Sequence, residues 1–173
     1  MVPTHQSQVI SLNLFEKIIV RKVQAIVEHA EQQCKKNGVR LTEKRKHILA
    51  ALLHSGKALS AYELVGYCKE QLGETIPAMS VYRILGFLQS QQLVHKLDLV
   101  NKYIACAHIT CHHKHAVSQF LICKQCQRVK EINLRDSVIH SLLQEVYDTD
   151  FELDSPQLEI NGLCGSCGKM KRC

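Results

Sequence analysis

The sequence predicts an α+β fold in two parts, a mostly helical first half and a smaller second half that mixes strands with one helix. Three observations predict it. Apolar residues recur at helical spacing through residues 12–91, and two short strand-like runs follow them. Two Cys-x-x-Cys pairs then lie in the last third of the chain. A unit as small as the second half needs such cross-linking in addition to its apolar core.

Composition favours a packed protein with a polyanionic partner. The 173 residues are 46% hydrophobic and carry a net charge of +6, and most of the positive excess lies in residues 1–100. A basic half suggests DNA or RNA as a partner, although a basic surface alone is also common. The N-terminus lacks a secretory pattern and no apolar run is long enough to span a membrane, so we expect a cytoplasmic protein without a membrane partner.

The first half has the element order of a winged helix-turn-helix, which we predict for residues 1–105. Capping and stop residues delimit four helices: Gly38, Thr42, Ser60 with Glu63, Gly73 and Pro77. Cys34 and Cys68 fall on apolar helix faces, so both are predicted to be core residues. The strand-like runs 93–97 and 102–107, joined by a polar turn, would form the wing.

In a winged helix the last helix, here near residues 78–91, enters the major groove of DNA. Its exposed face would offer Ser80 and Arg83, whose side chains suit phosphates or base edges. Tyr62 lies beside the third helix's cap, where DNA contact and partial burial are equally good interpretations. Arg40 and Arg45 belong to a basic cluster that either contacts phosphates or is a solvated face.

The second half is predicted to be a small α+β unit over residues 118–173, connected by a histidine-rich hinge over 106–117. Strand patterns cover residues 119–123, 128–133 and 158–160, and a helical pattern covers 136–147. Cys123, Cys126, Cys164 and Cys167 form the two Cys-x-x-Cys pairs. Four thiolates satisfy a tetrahedral structural zinc, which we favour over two disulfides or redox pairs because neither pair opens a helix in a βαβ setting.

A second group of potential metal ligands surrounds the hinge. Its members are His95, Cys106, His108, Cys111, His112, His113, His115 and Glu131. They would converge if the two halves fold against each other. A mixed nitrogen, sulfur and oxygen set suits zinc, and the thiolate disfavours iron(II). Taken singly, His95 would be a packed histidine and Glu131 a surface charge.

These residues lie in segments that resemble the ferric uptake regulator family of metal-dependent repressors. The matching segments are GVRLTEKRKHIL, LSAYEL, SVYRILGFLQSQQLVHK, NKYIAC, HHKH, LICKQCQRVKE and NGLCGSC. Within the family the chain is most similar to the zinc uptake regulators. The resemblance implies homodimers built through the second half, which bind palindromic operator DNA when zinc is loaded.

The resemblance also assigns roles to residues. It implies a sensing zinc held by His95, Cys106, His115 and Glu131, with His112 and His113 as rivals for the hinge ligand. His108 and Cys111 would be additional donors, and Tyr62 and Arg83 would contact bases. We therefore expect one structural and at least one regulatory zinc per chain.

The function expected from this resemblance is zinc-responsive repression of zinc-uptake genes, without enzymatic activity or a small-molecule substrate. An iron or peroxide sensor of the same family and a constitutive zinc-stabilised DNA-binding module are the alternatives. A zinc hydrolase or deaminase is disfavoured because the sequence has neither HExxH nor HxE paired with PCxxC.

Overall fold

The computed structural model describes residues 14–111, 117–149, 151 and 157–169. Its elements are α1 (Leu14–Lys36), α2 (Glu43–Ser55), α3 (Ala61–Leu72), α4 (Ala78–Ser90), β1 (Val94–Leu97), β2 (Lys102–Ala105), β3 (Ser118–Cys123), β4 (Val129–Ile132), α5 (Asp136–Tyr147), β5 (Gln157–Gly162) and α6 (Gly165–Lys169). Within this part of the chain, no helix combines the length and apolar character needed to cross a membrane.

The first four helices begin and end close to the positions that the sequence predicts. Gly38 follows α1 with φ of 73°, a left-handed conformation that glycine adopts without steric cost. The capping box of α3 is formed: the Ser60 hydroxyl accepts from the Glu63 amide at 3.2 Å, and the Glu63 carboxylate accepts from the Ser60 amide at 2.6 Å. Local capping chemistry therefore fixes where α3 starts and which way it leaves the preceding loop.

The core of the first half lies among α1 to α4. Ile48 and Leu52 on α2 and Leu85 and Leu88 on α4 are among its fully buried members. Cys34 and Cys68 are buried in the same cluster, which confirms the prediction that they are core residues. This packing leaves one face of α4 in solvent.

The wing is an antiparallel hairpin in which Val94 pairs with Ala105 and Leu97 with Lys102. Leu59, between α2 and α3, adds a third short extended segment through two backbone hydrogen bonds with Tyr103, at 2.8 and 2.9 Å. Lys102 also pairs with Glu63 at 2.9 Å. The wing is thus tied to the start of α3 by backbone and side-chain contacts.

The second half is built on a three-stranded sheet of order β4-β3-β5. β3 pairs antiparallel with β4 and parallel with β5, and α5 lies in the connection between β4 and β5. The short helix α6 follows β5 and was not predicted from the sequence, because five residues give too little periodicity.

A second buried cluster joins the wing to this sheet. Phe120 and Ile122 on β3 pack with Leu97 on β1 and with Ala58. The wing therefore rests on the sheet of the second half, and the hinge region connects two parts that already contact each other.

Glu63 is expected to stabilise the first half through its charge. The Ser60 amide and the Lys102 ammonium hold the pKa of the Glu63 carboxyl at about 2, below its usual 4.5. Because the folded-state pKa is depressed, this stabilisation is complete above about pH 4.5 and is lost as pH falls towards 2. We expect Glu63→Gln to cost about 1 kcal/mol at pH 7, and urea unfolding should show a smaller difference from the parent at pH 3.5. An undiminished difference at pH 3.5 would contradict the electrostatic explanation.

Candidate metal centres and nucleic-acid interface

Four cysteine thiols converge where the two ends of the second half meet. The Sγ atoms of Cys123, Cys126, Cys164 and Cys167 all lie within 4.8 Å of one another, and those of Cys126 and Cys164 are 3.7 Å apart. Four sulfurs at 2.3 Å from a tetrahedral zinc would be separated by about 3.8 Å. The spacing therefore fits a four-thiolate zinc site.

Regular secondary structure places these cysteines. Cys123 ends β3, and Cys126 lies in the turn towards β4. The parallel pairing of β3 with β5 brings Gly162 opposite Cys123, and α6 then carries Cys167 back towards the turn. Two Cys-x-x-Cys segments separated by a helix and a strand are thereby brought side by side.

The protonation chemistry of the cluster also suits a cation. All four cysteines are free thiols, which disagrees with the disulfide alternative. The amides of Cys126 and Cys164 direct hydrogen bonds at Cys123 and lower the pKa of its thiol to about 6. The hydrogen bond with Cys164 raises the pKa of the Cys167 thiol to about 12. A cation that bound here would displace the remaining protons.

A second group of donors bridges the two halves. Ligand atoms of His95 on β1, Cys106 after β2 and Glu131 on β4 all lie within 4.8 Å of one another. These three residues are the wing histidine, the thiol after the wing and the carboxylate that sequence analysis proposed as ligands. The structure brings them together although 36 residues separate His95 from Glu131.

The surroundings of His95 suit a metal ligand. Its Nε2 atom is buried without a hydrogen-bond partner among the described residues, and an unsatisfied buried nitrogen of this kind calls for an explanation. Burial lowers the pKa of the His95 imidazole, which keeps the ring in the neutral form that metals bind. Its ring centroid lies 5.1 Å from that of Phe120, which fixes the ring against β3.

Cys106 and Glu131 complete this group, and both are partly buried. Burial raises the pKa of the Cys106 thiol to about 11, although the His108 amide points at its Sγ from 3.4 Å. Glu131 accepts a hydrogen bond from the Ala107 amide at 3.2 Å. Nitrogen, sulfur and oxygen donors in a half-buried pocket fit zinc better than iron(II).

The other predicted hinge donors are only partly placed. His108 contacts Glu131, with 3.2 Å between Nδ1 and Oε1. Cys111 is exposed and belongs to neither cluster of donors within the described residues. His112, His113 and His115 lie outside the described residues, so the predicted hinge ligand stays a prediction.

The candidate nucleic-acid interface lies on α4 and the start of α3. Arg83 is exposed on α4, Ser80 is half-buried, and Tyr62 is 71% exposed. Tyr62 is therefore not partly buried, which removes the alternative left open by the sequence. Its ring meets that of Tyr82 edge-on at 6.3 Å between centroids. An aromatic pair and an exposed arginine thus face solvent together.

The basic cluster at the start of α2 contains one exposed arginine and one partly buried arginine. Arg40 is exposed. The Arg45 guanidinium stacks 3.4 Å above the Phe87 ring centroid on α4 and donates to the Arg40 carbonyl at 2.5 Å. Its phosphate contact stays a prediction, and the stacking on Phe87 helps to orient α4.

Three residues that contact the wing beside His95 were not predicted from the sequence. Phe120, Gln157 and Glu159 lie on β3 and β5 and touch the wing beside His95. Glu159 is 61 residues from its partner Asp98. No local pattern signals such a contact, and only the parallel pairing of β5 with β3 creates it.

The chain is similar to known proteins over most of its length. The ferric uptake regulator family model matches residues 36–161. The zinc uptake regulation protein of Escherichia coli (strain K12) is 32% identical over 152 residues, 87% of this chain and 85% of that protein. The ferric uptake regulation protein of Helicobacter pylori (strain ATCC 700392 / 26695) is 28% identical, covering 72% of this chain and 78% of that protein.

Two solved structures of relatives have the same fold. A zinc uptake regulator complexed with zinc and DNA matches with a TM-score of 0.75 at 30% identity, covering 87% of this chain and 98% of that one. The crystal structure of holo XcZur matches with a TM-score of 0.70 at 33% identity, covering 84% and 98%. The family match spans most of the sequence, and it includes α4, the wing and the β-strand residues of both donor clusters. The chain therefore belongs to the ferric uptake regulator family.

Proposed function

We propose that the chain is a zinc-responsive transcriptional repressor that binds operator DNA as a homodimer and represses zinc-uptake genes. One observation carries the proposal: His95, Cys106 and Glu131 converge from the wing and from the second half. The similarity to a zinc uptake regulation protein and to a regulator complexed with zinc and DNA supports the metal and the partner.

The two donor clusters would have different tasks. Cys123, Cys126, Cys164 and Cys167 would hold a structural zinc, since four thiolates leave no open position. The mixed cluster would hold the sensing zinc, with His115 as the proposed fourth ligand and His113 or His112 as its rivals. When bound, this zinc supplies a cross-link between β1 and β4.

Regulation would follow from the positions of these ligands. His95 belongs to the wing of the DNA-binding half, and Glu131 belongs to the sheet of the second half. They can approach each other only when the wing is docked on that sheet. A ligand that binds one geometry better shifts the population towards it by its differential affinity. The docked geometry would fix the spacing of two α4 helices in a dimer.

The exposed face of α4 would read the operator. Arg83 suits the acceptor edge of guanine, and Tyr62 offers an aromatic face and a hydroxyl to bases. Ser80 and Arg40 would contact phosphates and set the register of the helix. Arg45 would also contact phosphates, through the guanidinium N–H groups that do not donate to the Arg40 carbonyl.

The second half offers surfaces for a second copy of the chain. Leu121 on β3 and Ile160 on β5 are exposed, and they are paired across the sheet. Val138 and Leu142 are exposed one helical turn apart on α5. In the three-stranded sheet β5 is an edge strand, and an open edge is a ready site for pairing. We propose dimerisation through this half, in the cytoplasm where the operator DNA would be.

Arg83→Ala is expected to weaken operator binding by about 10- to 100-fold, the cost of one bidentate base contact. The change should relax sequence preference at one operator position and should leave the zinc content unaltered. Fluorescence anisotropy with the operator and single-base variants measures both effects. Arg135→Ala, which removes the same charge from the start of α5, is the matched control. Equal losses of operator affinity in the Arg83→Ala and Arg135→Ala variants would contradict a base contact by Arg83.

The decisive test of the proposed function is operator binding measured against buffered free zinc, with bound metal counted in parallel. We expect one zinc to survive mild chelation and DNA affinity to rise as further zinc loads. A rise with iron(II) and not with zinc would instead support the iron-sensing alternative. Affinity that is flat with every metal would leave only a constitutive DNA-binding module.

A further inference from the structure

A carboxylate on β5 clamps the turn of the wing. Glu159 accepts two backbone hydrogen bonds from this turn, from the Asp98 amide to Oε1 at 2.8 Å and from the Leu99 amide to Oε2 at 2.9 Å. Both oxygens of one side chain are thereby used. Hydrogen bonds to a charged acceptor are stronger than those between neutral groups. The clamp joins the DNA-binding half to the second half without involving a metal ligand.

Gln157 reinforces the clamp beside His95. Its Nε2 atom donates to the Lys96 carbonyl at 2.7 Å and to Glu159 Oε1 at 2.8 Å. Lys96 directly follows His95 on β1. The same amide therefore orients the Glu159 carboxylate and holds the backbone next to the wing histidine.

One row of residues across the sheet contacts the wing and its donor cluster at three points. Glu131 on β4 and Glu159 on β5 are both register partners of Phe120 on β3. Directly paired residues project from the same face of a sheet. Glu131 enters the mixed donor cluster, Phe120 packs against His95, and Glu159 holds the wing turn. The wing is thus supported at three points of a single row, and only one point is a metal ligand.

We propose that Glu159 is a positioning residue that sets the free-zinc concentration at which the sensing site fills. It does so by holding the wing in the docked position in which His95 meets Cys106 and Glu131. The apparent affinity of a ligand equals its intrinsic affinity multiplied by the fraction of protein in the competent state. Weakening the clamp lowers the docked fraction and so raises the zinc midpoint. The inference rests on the proposed sensing role of the mixed cluster.

The test compares two Glu159 variants with a control in the same turn. Glu159→Ala removes both acceptors, whereas Glu159→Gln keeps one oxygen. Asp98→Asn is the control, because the Asp98 carboxylate pairs with Lys96 inside the wing at 2.7 Å and does not reach β5. Zinc affinity is measured without DNA by competition with a chelator, after the tight zinc is loaded. Hydrogen exchange of the wing-turn peptide in protein holding only the tight zinc reports docking directly.

We expect Glu159→Ala to raise the zinc midpoint by about fivefold, from the loss of charge-assisted hydrogen bonds at a partly exposed site. Glu159→Gln should give a smaller shift in the same direction, with faster exchange at the wing turn in both variants. Operator affinity at saturating zinc should stay within about twofold of the parent, since sufficient zinc restores the docked population. A residue that merely stabilised the fold would not separate these readouts.

An unchanged midpoint in both Glu159 variants would overturn the inference, and so would an equal shift in Asp98→Asn. If Glu159→Ala loses the tight zinc, Glu159→Gln decides by the same criterion. A parent protein that binds no zinc beyond the tight one would contradict the proposed function itself. If instead the parent binds the second zinc and the Glu159 variants bind it with the same midpoint, only the inference about Glu159 fails.

Discussion

Replacing Cys126 with serine is expected to remove the tightly held zinc and to lower the melting temperature by about 10 °C or more. The thiol of Cys126 is one of four that converge within 4.8 Å, and a hydroxyl is a poor substitute for a thiolate ligand. The buried apolar cluster that Phe120 and Ile122 on β3 form with Leu97 and Ala58 is small. Structural zinc sites supply about 10–16 kcal/mol in small domains, so we expect this region to depend on the proposed zinc for its stability.

Metal analysis and thermal melting followed by circular dichroism measure the two effects of Cys126→Ser. Cys34→Ala is the matched control, because Cys34 is a buried thiol on α1 outside both donor clusters. That variant should keep one tight zinc per chain and lose only the packing of a small side chain. A Cys126→Ser protein that retains the tight zinc and the parent melting temperature would contradict a structural four-thiolate site.

The parts of the fold that were predictable are those with local signals. The capping box of Ser60 and Glu63 and the left-handed glycine after α1 fix helix ends within a few residues of sequence. Helix α5 begins and ends where its apolar spacing indicates. The parallel pairing of β3 with β5 depends on residues nearly 40 positions apart, so no local pattern could reveal it.

The donor clusters were predictable to different degrees. The Cys-x-x-Cys spacing carries its own chemistry, and the structure places all four thiols together. His95 and Glu131 have unremarkable neighbours in the sequence and stand out only as members of the donor set around the hinge, to which the family resemblance then assigns a role. Glu159 had no signal of either kind, because its partners are backbone amides of the wing turn. Side chains that bind backbone groups leave no complementary residue in the sequence to recognise.

Cys106→Ser is expected to make operator binding unresponsive to zinc while leaving the fold intact. Serine has nearly the same shape as cysteine, but its hydroxyl is a weak zinc ligand at neutral pH. We expect the affinity for the second zinc to fall by more than about 100-fold, since changes beyond the direct ligands already cost 10- to 100-fold. The tight zinc should remain, because Cys106 belongs to the mixed cluster only. Operator binding should stay at its zinc-free level up to zinc concentrations that saturate the parent.

The comparison that makes this result specific is Cys111→Ser, which changes an exposed thiol five residues further along the chain. Cys111 lies in neither described cluster, so that variant should keep the parent's zinc midpoint. An equal loss of affinity for the second zinc in both variants would place Cys111 among the sensing ligands. A Cys106→Ser protein with an unaltered midpoint would remove the thiolate from the sensing site, and with it the chemical reason for preferring zinc over iron(II). Tight operator binding by Cys106→Ser with and without zinc would instead mean that docking of the wing on the sheet needs no metal, and that Phe120 and Glu159 suffice to hold it.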